Sequence, residues 1–118
     1  MNYGNLATIA QTGALQRLVD EPLPAFDALR FRKILKAVRE EFETFNEVKN
    51  EKIEEYGEDG RIEPDSEGWE DFNDEMEELL DKEADVEFEP ISLKDLPDKL
   101  EITASDLDVL MEAGILIE

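Results

Sequence analysis

Carboxylates are the only side chains abundant enough in this chain to suggest chemistry. Asp and Glu supply 33 of 118 residues, against 12 Lys and Arg, with no His and no Cys, for a net charge of −21. Paired carboxylates do acid–base work only where burial or a neighbouring charge separates their pKa values, and among acids this frequent a close pair carries no such message. The usual zinc ligand sets, thiolate nucleophiles and a disulfide framework are excluded by composition. Ser66, Ser92 and Ser105 have no imidazole to activate them, and Ser66 and Ser105 stand where helix caps are wanted. The best calcium-loop register starts at Asp59, but puts Arg61 where the third ligand belongs and Pro64 where the sharp-turn glycine belongs. No glycine-rich phosphate loop is present. The residue types therefore point to a protein that is not an enzyme, with no catalytic residue, no cofactor and no metal site.

What the acids can do is recognise. Residues 1–39 carry a net +3 and residues 40–118 a net −24. Such a chain repels nucleic acid and anionic membrane and attracts a basic surface on a protein partner. Between Glu40 and Glu58 the net charge is −6, about one per 4.8 Å along a helix; over residues 66–83 it is −8, about one per 3.4 Å. Laid side by side, two such helices reach about one charge per 2 Å, close to the one per ~1.7 Å of duplex DNA. Glu70, Asp74, Glu77 and Asp81 on one helix and Glu47, Glu51 and Glu54 on the other are the candidate partner-binding residues. Arg32, Lys36 and Arg39 lie at i, i+4 and i+7, a spacing that could also meet phosphate; the simpler assignment is that they answer the acids of the same fold or of a symmetry mate. An antiparallel homo-oligomer would set each basic half beside an acidic one.

The elements that must position these charges follow from apolar periodicity. Phe31, Leu35, Val38, Phe42 and Phe45, with Ile34, Val48, Ile53 and Tyr56 beside them, mark one stripe on a long amphipathic helix over about 25–56, between Pro24 and a left-handed cap at Gly57. A second, acidic helix over about 66–83, capped by Asp65 or Ser66, places Trp69, Phe72, Met76, Leu79 and Leu80 on the face that packs against it. Asp59-Gly60 suits a type I′ turn between the two. Before the long helix, a short one capped by Asn5 runs past Gly13 to Val19 and is ended by the prolines Pro22 and Pro24.

After Asp85 the period changes. Val86 to Glu89 alternates like a strand, Pro90 interrupts it, and Ile91 to Leu93 resumes one step displaced. A loop from Lys94 to Ile102 bends at Pro97. Thr103 to Asp106 reads as a capping box opening a short helix that presents Leu107, Leu110 and Met111 inward and stops at Gly114. The tail Ile115 to Ile117 either pairs with the preceding strand or docks as extended chain. It is assigned to the core together with Phe31 and Tyr3, the alternative being an exposed apolar patch rimmed by charge. The expected fold is α+β and mostly helical, one domain over 1–118, with a small C-terminal β element. No window approaches the ~20 apolar residues of a membrane span, and no leader is evident, so an intracellular, soluble protein is expected.

Several stretches together resemble a family of small proteins encoded by tailed bacteriophages and prophages, acidic, helical and without an assigned activity. They are the opening Asn2 to Leu6, the Leu23-Pro24 step, the helix from Lys33 running into Arg61-Ile62, Phe72 with Leu79-Leu80, Val86 to Leu96, and Ile102 to Leu110. The resemblance implies a viral origin, residence in the host cytoplasm or the virion, and a protein-binding role in particle assembly or on a host factor. The alternative that charge density suggests is a nucleic-acid mimic that inhibits a restriction, CRISPR or transcription enzyme.

Overall fold

A 32-residue helix sets the dimensions of the molecule. The computed structural model describes residues 1–118 and has a longest extent of 52 Å; the helix α3, Ala25–Tyr56, is about 48 Å long at 1.5 Å per residue. Neither Gly nor Pro interrupts it, and Pro24, at φ −52, delivers the chain into its first turn. Two short helices precede it, α1 (Tyr3–Thr12) and α2 (Ala14–Val19); α4 (Trp69–Asp81) and α5 (Ala104–Glu112) follow, and Ile91–Ser92 (β1) pairs in parallel with Leu116–Ile117 (β2). The fold is thus α+β and mostly helical, as expected.

Helices α1, α2 and α4 cover the apolar stripe of α3, and α5 packs behind them on α1 and α2. Around Phe31, Ile34 and Val38 lies a cluster of 14 buried residues, with Leu6 and Ile9 from α1, Leu15 and Leu18 from α2, Leu110 from α5, and Ile91, Ile115 and Leu116 from the small sheet. Further along α3, Phe45 packs with Phe72 and Met76 of α4 in a second, smaller cluster. Tyr3 and Phe42 touch both clusters. Their rings stack on Phe45 at 5.7 and 6.0 Å, and the Tyr3 hydroxyl donates to Glu41 Oε1 at 2.5 Å. That bond to a carboxylate, with burial second, raises the Tyr3 pKa above its ordinary value.

Several local expectations are corrected. The first helix is two helices, because Gly13 adopts φ +71 and ends α1 while opening α2. Its cap is Asn2, not Asn5; the two asparagines cap reciprocally, Asn2 Oδ1 accepting from the Asn5 amide at 2.8 Å and Asn5 Oδ1 from the Asn2 amide at 3.1 Å. Gly57 is extended (φ −97, ψ −176) and not left-handed. The acidic helix begins at Trp69 and ends at Asp81, shorter than 66–83, and neither Asp65 nor Ser66 caps it: the Ser66 hydroxyl accepts from the Glu63 amide at 2.9 Å and builds a turn instead. Ser105 is likewise no cap, since Thr103 receives the Asp106 amide at 3.1 Å. The type I′ turn is present, with Asp59 at φ 55 and Gly60 at φ 74 between the paired Glu58 and Arg61.

Val86 to Glu89 forms no strand. Its burial does alternate, Val86 and Phe88 turned toward the core and Glu87 and Glu89 outward, but no neighbouring chain offers a ladder, and pairing begins only past Pro90. The strand stops at Ser92, one residue short of Leu93, and a 3-10 turn over Leu93–Asp95 leads into the loop. The tail is core: Gly114 at φ +77 turns the chain off α5, the Ile115 amide donates to the Leu110 carbonyl and the Gly114 amide to that of Met111, and Ile115 and Leu116 are thereby driven inside. Phe31 is fully buried and Tyr3 half-buried, so the exposed patch imagined for these residues does not exist; only Ile117 of the group is open.

Candidate interaction surface

The structure places all seven candidate residues in solvent. On α4, Phe72 and Met76 face inward; at about 100° per residue, Glu70, Asp74, Glu77 and Asp81 form a ridge on the opposite side. On α3, Glu47, Glu51 and Glu54 likewise lie opposite Phe45. Because the two helices meet through their apolar faces, the ridges run along the outer backs of the pair. They do not merge into one sheet of charge, and the expectation of a joint side-by-side surface is corrected to two separate ridges.

The seam between the helices is tied by one cation. Lys52 Nζ lies 2.9 Å from Glu55 Oε2 on its own helix and 3.4 Å from Glu75 Oε2 on α4. The Glu55 carboxylate foremost, and Glu75 with it, raise the Lys52 pKa, so this ammonium stays charged and holds α4 in place. Glu70 and Asp71, in the first turn of α4, sit against the positive end of that helix. The open depression at the end of α3, between Tyr56 and Asp71, is lined mainly by acids with Tyr56 as its one apolar wall. No three carboxylates converge closely enough to hold a metal ion.

Within the chain the basic stretch does not pair with the acids of its own fold, one half of its simpler assignment. Arg32, Lys36 and Arg39 flank a groove between α2 and α3, with Gln16 and Asp20 on its other wall and Glu40 and Glu43 further along α3. Arg39 donates to Gln16 Oε1, yet none of the three, nor Lys33, makes an ion pair within the chain. Beside them Phe26 and Leu29 stand 70% and 49% exposed, with the Arg30 guanidinium 5.7 Å above the Phe26 ring. Their spacing puts both on the side of α3 away from Phe31, outside the apolar stripe.

One ion pair was invisible in the sequence because its partners are 89 residues apart. Arg17 of α2 grips Asp106 of α5 with both arms, Nε to Oδ2 at 2.7 Å and a terminal nitrogen to Oδ1 at 2.6 Å. Asp106 is the only charged residue in the buried set. The Arg17 guanidinium lowers its pKa; burial opposes this and the Thr103 contact adds to it. A carboxylate whose folded pKa is depressed contributes stability above its unfolded value, near pH 4, and that contribution is lost as pH falls through the folded value. Urea unfolding of the wild type and Asp106→Asn at a series of pH values is expected to show a stability gap at neutral pH that closes in acid. A gap of constant size would mean that the charge of Asp106 contributes nothing.

No helix is long and apolar enough to cross a membrane. No family model matches the chain, and neither a curated protein nor a solved structure is found similar to it.

Proposed function

We propose that this protein is a non-enzymatic acidic binding module that docks the α4 ridge on a basic surface of a protein partner. The observation that carries the proposal is the sign of the exposed ridge. Glu70, Asp74, Glu77 and Asp81 occupy consecutive outward positions of a helix fixed by its buried face, with no cation among them, whereas the α3 ridge changes sign along its length. A rigid row of like charges steers a complementary surface at long range and fixes its register on contact. The resemblance to small tailed-phage proteins fits a viral or host partner met during particle assembly or infection, in the host cytoplasm or the virion.

A second function has its own support. A net charge of −21 along 52 Å is about one charge per 2.5 Å, approaching duplex DNA at one per ~1.7 Å, so the basic surface can be the nucleic-acid groove of an enzyme that the protein inhibits.

Capture from infected cells with the wild type and with a variant reversing Glu70, Asp74, Glu77 and Asp81 to Lys tests both. The wild type is expected to retain a partner that added salt releases, and the variant to bind it about 100-fold more weakly, chiefly through slower association. Salt-insensitive binding, or equal retention by the variant, would remove the proposal. Competition by duplex DNA for the captured partner would select the mimic.

A further inference from the structure

The outward face of α3 is open over nearly its whole length. Read at steps of three and four, its exposed positions are Phe26, Leu29, Lys33, Lys36, Glu40, Glu43, Glu47, Glu51 and Glu54, with Arg32 and Arg39 alongside. All are exposed, with α2 forming the far wall of the groove beside Lys36 and Arg39, and the cations at its start are left without an ion pair inside the fold. The ridge is therefore apolar and basic in its first half and acidic in its second, a pattern that becomes its own complement when reversed.

We propose that this ridge is the interface of an antiparallel homodimer, in which the basic segment of each α3 lies on the acidic segment of the other. A two-fold axis crossing the helices between Glu41 and Phe42 sets Arg32 opposite Glu51 of the second copy and Lys36 opposite its Glu47, each pair made twice because the contact is isologous. Leu29 then falls opposite Glu54, and Phe26 reaches the far end of the partner helix beside Gly57. Glu40 meets Glu43 near the axis, a like-charge contact that the flanking Arg39 offsets. The occupant is a second copy because the chain itself supplies the complement: unpaired cations in residues 32–39 and exposed acids in 47–54, on one straight helix. The proposal goes beyond the binding function above and divides the labour between the ridges, with α3 paired inside the dimer and the α4 acids left outward for the partner.

The test uses two variants of exposed residues and does not depend on the register. In the first, Arg32→Glu with Lys36→Glu makes the ridge predominantly acidic, with Lys33 the one cation left on its line. In the second, Glu47→Lys with Glu51→Lys makes it basic. At low salt the wild type is expected to scatter light as a particle of twice 13.5 kDa, each variant alone to dissociate at least about tenfold more readily, and an equimolar mixture of the two to recover the dimer mass. A wild type that stays monomeric across concentration overturns the proposal. So does either variant dimerising as well as the wild type, or a mixture that fails to associate. The α4 reversal is expected to leave the dimer intact, so loss of partner capture and loss of self-association are read separately.

Discussion

Phe31→Ala is expected to lower the free energy of unfolding by about 3–5 kcal/mol, measured by urea denaturation. Phe31 is wholly buried in the larger cluster, which joins side chains of α1, α2, α5 and the small sheet to those of α3. The ring leaves a cavity that these elements cannot close without moving together, and a loss of that size is a large fraction of the ~5–15 kcal/mol available to a domain. Phe72→Ala addresses the other end of the same helix. Phe72 is 7% exposed in a cluster of three buried residues, so its loss is expected to loosen α4 alone. Amide exchange is then faster in α4 while α1, α2 and α5 keep their protection. Uniform acceleration across all helices in the Phe72 variant would show that the two clusters form one cooperative unit and that α4 is not separately anchored.

The extent to which the sequence disclosed this fold depends on how local each cause is. The start of α3 after Pro24, the Asp59-Gly60 turn and the Gly114 stop are set by the conformational limits of single residues, and these were legible; the position of the other end of α3 was legible too, but not its cause. Alternation at Val86 to Glu89 reported correctly which side chains face inward, but a ladder needs a partner strand, and alternation carries no information about one. The Arg17–Asp106 pair depends on which helices meet across the fold, so no local pattern marks it, whereas the spacing of Phe26 and Leu29 already sets them off the apolar stripe. The candidate site divides in the same way. That Glu47, Glu51, Glu54 and the four acids of α4 point outward follows from spacing along each helix. That the two ridges lie back to back follows only from how the helices pack.

Gly57 illustrates the limit and gives the second expected result. A glycine after a helix commonly signals the left-handed region, but here the backbone is ordinary and the need is for space. A Cβ at Gly57 would lie 2.1 Å from the Arg61 carbonyl oxygen and 2.6 Å from that of Ile53; one at Gly68 would lie 2.3 Å from the Tyr56 carbonyl oxygen. All three obstacles are backbone at the end of α3 or in the hairpin beside it, so no side-chain rotation relieves them. Gly57→Ala and Gly68→Ala are each expected to cost about 1–3 kcal/mol by forcing the 57–68 loop off the end of α3. Gly60→Ala meets nothing within 4 Å and carries only the left-handed penalty, about 1 kcal/mol. Because both clashes displace one loop, the double variant is expected to cost less than the sum of the singles, a coupling that a double-mutant cycle measures. Gly68 adjoins Trp69, so its variant should also shift tryptophan emission, whereas Gly60→Ala should not. The consequence reaches the surface, since this loop fixes where α4 begins and hence where Glu70, Asp74, Glu77 and Asp81 stand. Gly68→Ala is accordingly expected to weaken partner capture without changing the net charge. If it proved as harmless as Gly60→Ala in both stability and capture, the loop would not be what seats α4 and its acidic ridge.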